Sequence, residues 1–249
     1  MLHRFLLLVL LTLATPLALA DALKVGVSPD YPPLAFQQDG RVMGIEADNV
    51  RAVSEVIGRP MKLVSMPFDK LLPALLAGQI DVIMSGFSVT EERARQVSFS
   101  DPYMRMGQMA IMHKDKVARF AQPWSVYREG VRIGVEPGTT GAAFAEKELK
   151  DAEIAYYTDA AAAFEGLRKD QIDLYIHDAP TSWLLATTSE NSDLISLYSP
   201  LTDEMLAWAV RKDDDALLAE LNRALGLMKQ NGSLRYILNR WIPVTVEVR

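Results

Sequence analysis

A chain of 249 residues with no cysteine, and with 26 Lys and Arg against 32 Asp and Glu for a net charge of −6, has no thiols for a disulfide or a lipid attachment. It also lacks the basic tract of a nucleic-acid binder, so nucleic acid is excluded as a partner. The length admits one large domain or two small lobes, and 49% apolar composition supplies a substantial core.

In chain order, Met1-Leu2-His3-Arg4 precede an apolar stretch from Phe5 to Leu11, and Ala18-Leu19-Ala20 precede the first acidic residue, Asp21. This pattern predicts a secretory signal peptide over residues 1–20. The apolar segment is too short to span a bilayer, and no later run is long enough, so an exported, soluble chain with no membrane insertion is expected.

Beyond it, strand-like runs alternate with helical spacing. Leu23 to Val27, Lys62 to Ser65 and Ile80 to Met84 read as strands. Ile45 to Ile57 and Phe68 to Ala77 read as helices, closed by Gly58 and Gly78, with Val50, Val53, Val56 and Ile57 or Leu71, Leu72, Leu75 and Leu76 on their apolar faces. The alternation predicts an α/β fold.

The pattern then restarts. "KVGVSP" from Lys24 is echoed by "RIGVEP" from Arg132, and "GQIDVIMSG" from Gly78 by "DQIDLYIHD" from Asp170. Two echoes in the same order predict two similar lobes. Gly107 to His113 reads as an extended crossing between them, Ala207 to Val210 as a return strand, and Asp214 to Trp241 as helices opened by Asp213, Asp214 and Asp215 and broken at Gly232-Ser233. The expected lobes are residues 21–108 with 210–249, and 109–209.

In parallel sheets, ligands sit beyond the carboxyl ends of the strands. Four loops fall there: Ser28 to Tyr31, Ser85 to Ser88, Glu136 to Thr140, and His177-Asp178. Facing lobes would line one cleft with them.

Arg93 offers a planar fork of donors that matches a carboxylate, and its place in a first helical turn runs against the macrodipole unless it is buried or directed at a ligand. The plain alternative is a solvated arginine beside Glu91 or Glu92. Ser85, Ser88 and Thr90 serve equally well as turn and cap residues, and Gly86 allows close approach to the backbone. Gly138-Thr139-Thr140 opens a helical pattern, so its N–H groups can receive an anion or simply cap the helix. Asp178, before Ala179-Pro180, is placed at the rim of its strand, where a carboxylate suits an ammonium or opens a turn. Arginine, N–H donors and aspartate together describe a free α-amino acid. Tyr31 and Phe68 could pack on its side chain or belong to a core. Met104, Met106, Met109 and Met112 are expected as hinge-side and core filling.

No P-loop, dinucleotide glycine fingerprint, HExxH, G-x-S-x-G or cysteine nucleophile is present, and His113 and His177 have no ligand-spaced partners. Neither a metal nor a cofactor is expected.

With "SPDYPPLAF", "GIEADN", "GQIDVIMSGFSVTEERARQVSFSDPY", "IGVEPGTTG", "QIDLYIHDAP" and "MKQNGSLRYILNRW", the chain resembles the family 3 bacterial extracellular solute-binding proteins, the periplasmic amino-acid receptors of ABC importers. The resemblance implies two α/β lobes of the type II periplasmic-binding-protein fold, joined by two hinge strands and closing on a ligand held in the cleft between them. It implies that Arg93 forks onto the ligand α-carboxylate, helped by the N–H groups of Ser88 and Thr140. Asp178 takes the α-ammonium with the Ser88 hydroxyl and the Gly86 carbonyl, and Tyr31 and Phe68 sandwich the side chain. The implied protein is a periplasmic monomer that delivers an amino acid to an inner-membrane ABC permease.

Gly86 stands where a serine is common, Ser28 where receptors for basic amino acids can carry an acid, and Gly141 where a longer polar side chain can appear. A polar or neutral ligand is therefore expected over lysine or arginine, although Asp30 and Glu136 lie close enough to leave a basic side chain open. Two other functions fit the same fold: a ligand-presenting sensory receptor, and a cyclohexadienyl dehydratase acting on arogenate or prephenate, in which Glu136 or His177 would donate the proton.

Overall fold

The two sequence echoes become two sheets of the same design. The structure, a computed structural model, describes residues 21–197 and 199–242; the signal-peptide segment lies outside them. The first sheet orders its strands Met61–Ser65, Leu23–Val27, Val82–Ile83, Ala209–Arg211, Val97–Phe99. The second orders Glu153–Tyr156, Arg132–Val135, Leu174–Asp178, Gln108–His113, Leu194–Ser196. In each, the first three strands run parallel and the fourth pairs antiparallel with both the third and the fifth, so the echoed strands fill the second and third places of both sheets.

The echo has a packing cause. A Cβ on Gly26 would lie 2.3 Å from Ile80 Cδ1, and one on Gly134 would lie 2.5 Å from Ile172 Cδ1. Each glycine admits the isoleucine two residues ahead of the neighbouring strand. Beside them, Asp81 accepts from the Lys24 N–H at 2.8 Å and Asp173 from the Arg132 N–H at 3.0 Å, so the aspartate after each isoleucine pins the same strand pair.

Parallel strands covered on both faces bury alternate residues against different layers. Val82 and Met84 face one apolar layer and Ile83 the other; Leu174 and Ile176 face one and Tyr175 the other. The helix Ile45–Ile57, which ends as Gly58 enters the left-handed region at φ 69°, packs on the C-terminal helices Asp215–Gln230 and Ser233–Trp241 against the first sheet. Asp214 caps the first of these by accepting from the Leu217 N–H at 3.1 Å, and Gly232 at φ 80° separates the pair.

The crossing differs from the sequence reading. Gln108–His113 is extended, but it lies inside the second sheet, where its Met109 to Met112 are buried among apolar neighbours. The lobes are joined instead by a two-stranded ribbon, Met104–Met106 paired antiparallel with Glu204–Leu206. An apolar run that enters a sheet directly from a short hinge shows no boundary between the two. Among the described residues, no helix is long and apolar enough to cross a membrane.

Candidate functional site

Between the lobes lies a cavity whose lining is drawn from both of them. All four loops read from the sequence contribute to it. Ser28, Asp30, Tyr31, Gly86 and Ser88 come from the first lobe with Phe68 and Arg93; Glu136, Thr139, Thr140, His177 and Asp178 come from the second with Gln108 and Ile176.

Arg93 sits in the short helix Glu91–Ala94, whose cap, the Thr90 hydroxyl, accepts from its N–H at 3.1 Å. Its side chain is turned inward, only 9% exposed. Nη1 donates to the Ser88 carbonyl at 2.9 Å, and Nη2 reaches across to the Gly138 carbonyl of the other lobe, also at 2.9 Å. The guanidinium carbon stands 4.0 Å from the centre of the Phe87 ring. Burial lowers its pKa to about 10, which leaves it cationic at neutral pH. Among the described residues it makes no ion pair, so the solvated pairing with Glu91 or Glu92 is not formed; Glu91 reaches Arg95 instead. The Ser88 N–H has no acceptor among the described residues either.

Asp178 closes the strand Leu174–Asp178 and is buried, 8% exposed, rather than at the rim. Gln108 Nε2 donates to its carboxylate and, at 3.0 Å, to the Thr140 hydroxyl, which donates in turn to Glu204 at 2.7 Å. Burial, reinforced by Glu204, raises the Asp178 pKa well above the usual carboxylate range. It too lacks an ion pair among the described residues. A buried carboxylate in that condition is costly when charged and gains most from an incoming cation.

Thr139 caps the helix Thr140–Glu148 by accepting from the Ala142 N–H at 3.1 Å, which leaves the first-turn N–H groups at the cavity. Tyr31 and Phe68 meet edge to face at 6.5 Å, and Tyr31 also meets His177 at 5.1 Å across the cleft.

Ser85 is the predicted residue set apart from the rest: it is fully buried behind the wall, where its hydroxyl accepts from the Ser28 N–H at 2.9 Å and ties the first two loops together. Gly86 has a structural reason for being glycine. Its φ is 61°, and a Cβ there would come within 2.6 Å of both Leu34 and Tyr31. Below it, the fully buried Glu46 accepts from the Gly86 N–H at 2.8 Å, the Tyr103 hydroxyl at 2.6 Å and the Trp208 indole at 3.3 Å. Burial raises its pKa despite these donors.

Glu136 lines the second-lobe side. It accepts from the Tyr175 hydroxyl, and its carboxyl lies 3.7 Å from His177 Nε2. Burial raises its pKa to about 7, with Asp30 and Asp159 adding like charge. Burial lowers that of His177 to about 4, so the histidine is neutral near pH 7 and the contact is not an ion pair. Gln108, Glu46 and Glu204 escaped the sequence reading. The signal for Gln108 was a lone amide heading an otherwise apolar strand. Among the described residues, no group of three or more His, Cys, Asp or Glu is placed to hold a metal ion.

Residues 23–244 match the family model for bacterial extracellular solute-binding proteins, family 3. The ABC transporter arginine-binding protein 1 of Escherichia coli (strain K12) is 30% identical, over 90% of this chain and 92% of that protein. The cyclohexadienyl dehydratase of Pseudomonas aeruginosa is 27% identical, over 90% of this chain and 84% of the enzyme. Among solved structures, a mutant of ArgBP from T. maritima superimposes with a TM-score of 0.82 at 32% identity, over 90% of this chain and 96% of that one. With the family's sequence pattern running through both lobes and the cleft between them, this chain belongs to the bacterial extracellular solute-binding proteins, family 3.

Proposed function

We propose that the protein is a periplasmic receptor that captures one free amino acid between its lobes and delivers it to the inner-membrane permease of an ABC importer. The observation that carries this reading is a cation and an acid in one cavity, each without an ion-pair partner among the described residues: Arg93 on the first lobe and Asp178 on the second. A zwitterion supplies both counter-charges at once. The α-carboxylate goes to Arg93 with the N–H groups of Ser88 and Thr140, the α-ammonium to Asp178, and Tyr31 and Phe68 flank what lies between.

Because each lobe supplies one half of the contacts, the ligand favours the closed form over the open one, and the ribbon of Met104–Met106 and Glu204–Leu206 takes up the hinge motion. Moving such an equilibrium from mostly open to mostly closed takes about 5 kcal/mol of differential affinity, within reach of two charge-assisted clusters. The protein acts as a monomer and carries out no chemistry on its ligand. The names of the curated relatives, arginine-binding, histidine-binding and cystine-binding proteins, support an amino-acid cargo.

One observation favours a second reading. A carboxyl with a pKa of about 7 inside the cavity, Glu136, is suited to donate a proton, and a dehydratase is among the relatives. A thermal-shift panel of amino acids tests the receptor: a melting-temperature rise with one or a few of them supports it, and no rise with any sinks it. Phenylpyruvate released from prephenate, or phenylalanine from arogenate, each with loss of water and carbon dioxide, decides for the enzyme.

A further inference from the structure

We infer that Asp30 and Glu136, contributed by opposite lobes to one end of the cavity, form the recognition site for a cationic ligand side chain, with Tyr175 fixing the Glu136 carboxyl in place. This deepens the amino-acid receptor reading and rests on it.

The charge count inside the cavity leads to this assignment. The lining carries one formal cation, Arg93, and three acids, Asp30, Glu136 and Asp178. A zwitterionic backbone consumes Arg93 and Asp178 against its own two charges and leaves Asp30 and Glu136 without a counter-ion. Both belong to the same end. Asp30, on the exposed face of the strand Asp30–Tyr31, is near enough to Glu136 to add like charge to it, and Glu136 lies 3.7 Å from His177. No lysine or arginine reaches either carboxyl within 4.0 Å among the described residues. A neutral side chain would leave this acidic end uncompensated, and an anionic one would be repelled by it.

A simpler role for Glu136, as acceptor for the buried Tyr175 hydroxyl, needs only a carbonyl oxygen, which glutamine also supplies. A carboxyl in that place, beside Asp30, adds like charge that only a cation relieves. The polar neighbour on the other side is already committed: the Ser28 hydroxyl donates to Asp30 at 2.6 Å, which ties the Asp30 carboxyl to the first lobe. The acid that the sequence lacks at Ser28 is thus supplied two residues later and again from the facing lobe, so that recognition of the side chain is completed only when the lobes meet.

Proton coupling follows. The groups facing Glu136 are Tyr175 and His177 from the strand Leu174–Asp178, Asp159 from the start of the helix Ala160–Arg168, and Asp30 from the first lobe. None is a cation, since His177 is neutral. In the empty cavity Glu136 is therefore about half protonated at pH 7, and a ligand cation displaces that proton. For a cationic ligand, the Glu136 contribution weakens binding by about tenfold between pH 8 and pH 6. Asp178 meets the α-ammonium of every amino acid, so its titration is common to all ligands and cancels in a comparison between two of them.

The test is calorimetric titration of the full chain with L-arginine, L-lysine, L-glutamine and L-glutamate at pH 8 and pH 6, repeated on Glu136→Gln, which keeps the acceptor for Tyr175, and on Asp30→Asn at an exposed position. The expected result is that arginine or lysine binds more tightly than glutamine and glutamate, that its affinity falls about tenfold more than that of glutamine on acidification, and that Glu136→Gln removes this excess while weakening the cation by about tenfold or more. Asp30→Asn weakens the cation in the same sense. Glutamine or glutamate bound more tightly than both cations, or a cation preference unchanged in Glu136→Gln and Asp30→Asn alike, overturns the inference and leaves the amino-acid receptor standing. Binding of no amino acid at all overturns the receptor reading, and this inference with it.

Discussion

Arg93 and Gly138 join the two lobes directly: the Nη2 of the arginine donates to the glycine carbonyl at 2.9 Å across the cleft. The same guanidinium holds the Ser88 carbonyl of its own lobe. One side chain thus holds both rims of the cavity and still has donors left for a carboxylate.

Lysine at this position keeps the charge and loses the fork. Arg93→Lys is expected to weaken amino-acid binding by about 2 kcal/mol, roughly 30-fold, with little change in circular dichroism. Calorimetry with the best ligand of the thermal-shift panel checks it; an affinity unchanged within twofold would remove Arg93 from the site.

Gly86 combines a left-handed backbone with contacts that leave no room for a side chain. Gly86→Ala is expected to cost about 1–3 kcal/mol of stability and to weaken ligand binding as well, because the new methyl displaces Tyr31 from the cavity wall. Urea unfolding and titration of the same preparation measure the two effects together. Loss of stability with full affinity would show that Tyr31 does not depend on this contact.

Glu136 gives the empty protein a pH dependence of definite sign. Its pKa in the folded chain, about 7, lies above the ordinary glutamate value of 4.5, so the folded state holds the proton more tightly and this group's contribution to stability is lost as pH rises from about 4.5 to 7. Glu136→Gln is therefore expected to raise the melting temperature of the ligand-free protein by about 2–4 °C at pH 8 and hardly at all at pH 4.5. Thermal scans across that range check it, and an equal effect at both ends would contradict the burial of the charge.

Asp173 has the opposite sign. Burial pushes its pKa up, but hydrogen bonds from Arg132 and Lys116 outweigh this and hold it well below the usual range. Its stabilisation is present above about pH 4 and lost below it. Asp173→Asn is expected to cost about 2 kcal/mol at pH 7, a moderate figure because solvent reaches Arg119 and Asp170 in the same cluster. Urea unfolding at pH 7 and pH 3 measures the difference, which should shrink at the lower pH.

The sequence carried the repeat because the repeat is a packing unit. Gly26 with Ile80 and Gly134 with Ile172 require the same small and large residues in the same order, and that order can be read from a string. Loops at strand ends were legible for the same reason, since the strands fix where they open. Partners that depend on distant pairing were not. Gln108 reaches Asp178, 70 positions away, and Glu46 reaches Gly86, 40 positions away; local spacing holds no record of either contact. Ser85 shows the converse: its place at a strand end made it look like a wall residue, while the turn after it directs the hydroxyl backwards to Ser28. The hinge lies a few residues ahead of the extended crossing read from the sequence, because the ribbon strand Met104–Met106 and the sheet strand Gln108–His113 follow one another with Gly107 alone between them.

The proposed receptor holds one ligand by a carboxylate at Arg93 and an ammonium at Asp178. The most direct measurement compares, by calorimetry, the best amino acid of the panel with its decarboxylated amine and with the corresponding acid lacking the α-amino group. Each analogue is expected to lose at least about 100-fold in affinity, the value of one buried charge-assisted cluster. An analogue that binds as tightly as the parent amino acid would contradict that mode of binding.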